Sequence, residues 1–494
     1  MMPKYSLFKN YLTGDSKKRI RKEVFALALP AMGENVLQMI LGIVDTAFLG
    51  HLHWTAMTAA GMANQILFIF QAAFMAISIG ATVLISNALG VGNRKSIRLT
   101  AWNGTYMAII LGGLVTAAAV FSGAMLVLFP GVSKEINTIA DSYLKIILFG
   151  GVGFSSMYIL SAILRGSGDT KTPMIAVGIA NSVNLFLDYA MIFGNFGFPA
   201  LGAEGAAIAT VISRFVGTFI LFTACLKSKE LSMLGFGKIR FSLEKIKEML
   251  KIGIPTAIEN LLFSIGSLVF ANILMIAGEQ AYAAHRIGIN IESISFMPGF
   301  GVSVAITTLV GIYNGKDDRN TMLGVVRQGW IIGTTLMVSV GLFITLFPEV
   351  LIVLFTTDKV IAAEAVLPVR LLGLVQFFLA TDYVMTGAFR GVGDTKTPMF
   401  ITSAAMWGIR IPVGFILVNY FDLGLLGAWS GMMLDMAIRG MIKWFLFSRG
   451  KWEKFADKTR DTVHREASES PSGIAVGLLA DKADNKALTQ QDSL

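Results

Sequence analysis

Twelve membrane-spanning helices in two parallel six-helix repeats are the architecture expected of this chain. Three observations lead there. Charge is scarce, basic residues crowd one set of loops, and the second half of the sequence copies the first.

Of 494 residues, 54% are apolar and only 15% are charged, with a mean hydropathy of +0.66. An ordinary soluble domain carries about 25% charged residues. The shortage excludes a soluble enzyme, and the apolar excess excludes disorder. One helical span takes about 20 apolar residues. Residues 24–448 are almost continuously apolar, and spans are expected near 24–49, 54–89, 100–129, 137–164, 173–194, 201–226, 249–277, 282–313, 323–347, 360–389, 398–420 and 423–447. Pro130, Pro199 and Pro348 mark three of the breaks. The runs lack the alternation and the ~10-residue length of barrel strands. Residues 1–23 hold seven Lys or Arg, but the apolar stretch after them is too long for a cleavable signal. Cys225 is the single cysteine, so no intramolecular disulfide supports the fold.

The loops then sort by charge. The N-terminus and the 2–3, 4–5, 6–7, 8–9 and 10–11 links hold twenty-two Lys and Arg, whereas the opposite loops offer only Lys134 and Lys359. By the positive-inside rule both termini are cytoplasmic in a multi-pass protein of the cell membrane. The formal charge of +9 is therefore a topology signal and does not indicate nucleic acid.

The halves repeat at an offset of 225. Leu164 to Met174 recurs as Phe389 to Met399 with nine of eleven positions identical, and Pro30, Glu34 and Asn35 recur as Pro255, Glu259 and Asn260. An offset of 222 pairs Gly205-Ala206 with Gly427-Ala428. Two like-oriented six-helix bundles around a midplane cavity are a common build for secondary transporters. The expected organisation is a basic N-terminus at 1–23, an N lobe at 24–226, a link at 227–248 and a C lobe at 249–448. A polar, disordered tail at 449–494 completes it.

The chain carries no G-x-x-x-x-G-K-[ST] and no H-E-x-x-H, so neither a P-loop ATPase nor a zinc protease is indicated. Uphill transport would then need an ion gradient and carboxylates inside the membrane, which are functional by default. Glu34, Gln38 and Asp45 share one face of span 1, and Asn181, Asn184 and Asp188 share one face of span 5. Brought together, Asp45 and Asp188 would compete for charge and favour proton uptake. With Asn184 they could equally hold Na+. Asp45 could instead be interfacial, and Asn184 and Asp188 could be interhelical glue. Asp45 pairs by repeat with Phe270, and Asp188 with Arg410, so the acidic pair belongs to the N lobe. Glu259 and Asp382 are the second-half candidates. They either bind cation or substrate or neutralise Arg286, Arg370 or Arg410. The repeated Gly-Asp-Thr-Lys-Thr-Pro segments read as tight turns, with Pro173 and Pro398 in a first helical turn.

These residues resemble the multidrug and toxic compound extrusion (MATE) family. The likeness runs from about Leu27 to Lys443. It rests on Val44 to Gly50, the two Arg-Gly-x-Gly-Asp-Thr-Lys-Thr-Pro segments, Leu187-Asp188, Gly205 to Thr210, and Arg410-Ile411-Pro412. It implies a V-shaped, two-lobe, cofactor-free antiporter that is not an enzyme. Such a protein exports small organic cations of amphipathic character against H+ or Na+, as a monomer in the lipid bilayer. The polar N-lobe site of the family falls on Asp45, Asn184, Asp188 and Thr210. Glu34, Gln38, Asn181, Glu259 and Asp382 are further candidates for substrate or accessory cation. Glu259 stands four residues beyond Pro255, where some relatives place a glutamate about nine beyond, and Asp382 is also displaced. Arg286 stands where an amide is usual. The alternative is a flippase for lipid-linked precursors, which would line its cavity with several basic residues to hold phosphates.

Overall fold

The computed structural model describes residues 4–5, 11–129, 131–231, 233–234, 241–356 and 358–468. Among them every regular element is a helix. The N lobe comprises α1 (Gly14–Leu52), α2 (Trp54–Val91), α3 (Arg94–Leu128), α4, α5 (Lys171–Phe193) and α6 (Ala203–Lys227). Helix α4 consists of Lys134–Phe149 and Gly151–Gly166, bent by 52° where Gly150 and Gly151 interrupt it. The C lobe comprises α7 (Leu243–Ile276), α8 (Glu279–Gly315), α9 (Arg319–Leu346), α10 (Lys359–Gly391), α11 (Lys396–Asn419) and α12 (Gly424–Ser448).

Ten of these helices are long and apolar enough to cross a membrane, and the bent α4 makes eleven. Helix α12 is the twelfth. Its 25 residues suffice to span, but Asp435, Arg439 and Lys443 occupy its buried face. That charge hides it from a hydropathy test and foreshadows the interior of the C lobe.

Local chemistry sets the boundaries. Asn93, Ser133, Asp318 and Asp358 each accept a backbone N–H in the first turn of the helix they begin. The repeated motif builds one turn twice. Asp169 Oδ1 accepts from the Thr172 N–H at 3.0 Å, and Asp394 Oδ1 accepts from the Thr397 N–H at 3.0 Å. Gly168 and Gly393 both sit at φ +86, which only glycine adopts without strain. These segments are the tight turns expected of them.

The lobes meet at the end that carries both chain termini. Gly80 of α2 abuts the Met249 carbonyl of α7, and Gly253 of α7 abuts the Ala76 carbonyl of α2, so a Cβ on either would collide with backbone. Small residues let membrane helices approach this closely. Asn87 of α2 donates to the Gly391 carbonyl at 3.0 Å and accepts from Asn314 of α8 at 2.8 Å.

The tail departs from expectation. Its first part is ordered as α13 (Glu453–Ser468), while 469–494 lie outside the described residues. Composition suggested disorder because α13 is polar. Trp452 just before it, and Ala456 and Val463 within it, are nevertheless buried. Trp452 and Ala456 enter the core of the C lobe, and Val463 enters the core of the N lobe. Polar contacts follow the same division. Asn93 of the N lobe donates to the Val463 carbonyl at 3.1 Å. In the C lobe, Asn314 donates to the Ala456 carbonyl at 3.2 Å, and Arg319 pairs with Asp457 at 2.6 Å. Helix α13 thus straddles the seam. Val463→Asp should undock its far end and raise tryptic cleavage within 454–465 by about tenfold, since a charge cannot stay in an apolar core. The exposed substitution Lys454→Gln should leave cleavage elsewhere in the helix unchanged.

Candidate functional site

Three helices of the N lobe present the polar cluster. Asn184 and Asp188 lie one turn apart on α5 and are fully buried. Asp45 reaches them from α1, and Thr210 from α6. With its amide oriented to satisfy both ends, Asn184 donates to Asp188 Oδ2 at 3.1 Å and to Asp45 Oδ1 at 3.2 Å. Its oxygen then accepts the Thr210 N–H at 3.3 Å. The Asp45 and Asp188 carboxyls lie within hydrogen-bonding reach of each other. Two carboxylates this close repel each other unless a proton or a cation lies between them. Asp188 Oδ1 is buried without any hydrogen-bond donor among the described residues. Neither acid is ion-paired there. The four residues singled out from sequence are therefore contiguous.

The other candidates lie elsewhere. Glu34 and Gln38 line the central cavity between the lobes, with Phe74, Phe154, Tyr158, Phe300, Arg165, Arg214 and Arg390. Eleven residues of α1 separate Glu34 from Asp45, roughly 16 Å of helix. Asn181 donates to the Leu37 carbonyl at 2.7 Å and so ties α5 to α1.

Glu34 accepts from Arg165 at 2.7 Å, and Glu259 accepts from Arg390 at 2.9 Å. Both pairs join the first and fourth helices of a lobe, and both partners obey the 225 offset. The expectation that Glu259 neutralises Arg286, Arg370 or Arg410 is thus corrected. Arg286 is exposed on α8, and Arg370 pairs with Glu349 at 2.6 Å.

Asp382 is corrected likewise. It holds Lys443 at 2.6 Å and Arg439 at 3.4 Å. Lys443 also donates to Thr386 at 2.8 Å and Thr402 at 3.0 Å. Arg410 pairs instead with the fully buried Asp435, at 2.7 Å. Arg410 ends a π-helical stretch, Met406–Arg410, just before Pro412, which lacks the N–H a regular ladder would use. Sequence reading missed Asp435 and Glu292. The signal for Asp435 was available, since Asp435, Arg439 and Lys443 recur at intervals of four along one face of α12.

A family model described as MatE matches residues 30–190 and again residues 255–416. The chain belongs to the MatE family. The double match repeats the 225 offset, so each lobe is one copy of the MatE unit. The probable multidrug resistance protein NorM of Thermotoga maritima is 54% identical over 93% of this chain and 99% of its own length. The uncharacterized transporter YisQ of Bacillus subtilis is 28% identical over 85% of this chain and 92% of its own. A solved structure described as the outward-facing conformation of a multidrug resistance MATE family transporter superposes with a TM-score of 0.82. It is 21% identical and covers 90% of this chain and 100% of its own. A MOP superfamily transporter from Pyrococcus furiosus, also 21% identical, superposes with a TM-score of 0.80, covering 90% of this chain and 99% of its own. This MatE protein is a multi-pass membrane transporter of the multidrug efflux type.

The C-lobe network predicts a stability test. Asp435→Asn strands the Arg410 guanidinium in an apolar interior and should cost about 3–5 kcal/mol, the usual penalty for breaking a buried pair. Replacing both partners, as Arg410→Met with Asp435→Leu, should recover most of that loss in a thermal unfolding assay. Equal losses in the single and double variants would contradict the pairing.

Proposed function

We propose that this MatE protein is a secondary active antiporter, exporting amphipathic organic compounds, organic cations foremost, in exchange for H+ or Na+. The cation binds at Asp45, Asn184, Asp188 and Thr210, and the substrate binds in the central cavity beside Gln38 and the Glu34–Arg165 pair. Both termini face the cytoplasm, as the twenty-two to two bias of basic residues supports. The described conformation is then closed inward, where α2 meets α7 and α8.

One observation carries the reading. The buried Asp188 and the half-buried Asp45 lie in contact with no Lys or Arg paired to them among the described residues. A buried charge must be neutralised by a partner or a proton. Here the neutralising species is one that arrives and leaves. A proton shared between Asp45 and Asp188 would supply that neutralisation. Na+ would use the same oxygens after the Asn184 amide turns over. Cation site and cavity are separated along α1, so coupling is transmitted by that helix and needs no direct displacement. The flippase reading is weaker. Arg165 and Arg390 are spent on Glu34 and Glu259, which leaves Arg214 as the cavity arginine without a carboxylate partner among the described residues.

Asp188→Asn should reduce ethidium-driven ion movement in proteoliposomes to background, with insertion and thermal stability retained. Imposed proton and sodium gradients, applied separately to the unaltered protein, identify the coupling ion. Antiport that survives Asp188→Asn would sink the N-lobe site.

A further inference from the structure

Among the described residues, the C lobe holds a buried acid, Glu292, without an ion pair. Glu292 of α8 is 7% exposed, and among the described residues it has no ion pair and no hydrogen bond. Arg410 of α11 and Arg439 and Asp435 of α12 act on it electrostatically, and it acts in turn on Tyr383 of α10. Ser295, one turn further along α8, is bonded to Gln376 and is not available to it.

The surrounding network is unbalanced. Arg410, Arg439 and Lys443 supply three positive charges, whereas Asp382 and Asp435 supply two negative ones. An ionised Glu292 brings the set to neutrality, and a protonated Glu292 leaves it at one positive charge. The other two acids are unsuited to carry a proton. Asp382 is held by the Lys443 ammonium at 2.6 Å, and Asp435 by the Arg410 guanidinium at 2.7 Å. A buried acid beside a surplus cation, with no rigid partner, has two accessible states that differ by one proton.

We propose that Glu292 is a second proton-binding site, seated in the C lobe and loaded in exchange for substrate. Its part in the exchange rests on the antiport reading; its binding of a proton does not. On loading, a proton from the outer solution forms an O–H bond on one Glu292 carboxylate oxygen, and the network passes from neutral to one positive charge. On the inner side that bond breaks, and the proton leaves.

The test uses the full chain in lipid vesicles. Infrared difference spectra between about pH 5 and about pH 9 report protonated carboxyl groups directly. The unaltered protein should show a carboxyl band that Glu292→Gln lacks and that Glu292→Asp shifts in frequency. Glu292→Gln should also lower the number of protons exchanged per ethidium by about one, read from the pH gradient that just halts ethidium movement. Asp188→Asn should silence transport yet keep the Glu292 band, so failure of the N-lobe site and failure of this proposal are told apart. Difference spectra unchanged in both Glu292 variants, or an unchanged proton-to-ethidium ratio in Glu292→Gln, would overturn it. Should Glu292→Gln not insert, an unshifted band in Glu292→Asp decides against the proposal alone.

Discussion

Charge removed from water must be compensated inside the molecule, and the two lobes meet that requirement in different ways. The N lobe buries Asp188 and brings Asp45 to it with only amide and hydroxyl neighbours. The C lobe buries Asp382 and Asp435 but supplies their counter-ions on its own side chains, Lys443, Arg439 and Arg410. Tethered cations make a rigid interior, since removing either partner strands a charge. Acids without tethered cations leave an interior whose charge state depends on what enters. Two copies of one helical unit have thus diverged: one holds its buried aspartates with its own Lys and Arg, and the other leaves its acid pair without them.

The shared features are as informative as the divergent ones. Glu34–Arg165 and Glu259–Arg390 occupy equivalent places in the two lobes, as do the glycine turns at Gly168 and Gly393. These fix the termini-bearing end of each lobe, where the fourth helix passes into the fifth. Specialisation lies deeper along the same helices. On α1 the paired Glu34 gives way, about three turns on, to the unpaired Asp45. The hydrogen bond from Asn181 to the Leu37 carbonyl lies between them. A change at the polar cluster that moved α1 would therefore be felt at the cavity wall.

Most of the architecture was legible because the bilayer is a strict solvent. Long apolar runs, one-sided basic loops and the 225 offset each report a constraint that a single sequence displays. The N-lobe cluster was legible for the same reason, since Asp45 and Asp188 lie on polar helix faces that lipid cannot solvate. Pairings inside the C lobe were not. Which arginine Glu259 meets depends on helix rotation and crossing, and the answer, Arg390, lies 131 residues away. Asp435 shares a face of α12 with Arg439 and Lys443, but its pairing with Arg410 is set by helix packing, and Glu292 belongs to no repeated segment. The tail misled in the opposite sense. Composition registers the charge of α13 but not that Trp452, Ala456 and Val463 are buried.

The seam between the lobes bears on how far each can move. Asn87 and Asn314 bond across it, α13 bridges it, and Gly80 and Gly253 allow backbone-to-backbone contact along it. For lobes that rock, every one of these contacts is made in one orientation and lost in the other. Neutral hydrogen bonds and glycine packing are suited to that duty. Each is worth about 1 kcal/mol net, so the set can be broken by the energy of moving an ion. A buried ion pair across the same seam would cost several times more to separate. The strong Glu–Arg pairs near the cavity accordingly lie within a lobe, joining helices of the same bundle, and no Lys or Arg pairs with an acid between α1–α6 and α7–α12 among the described residues.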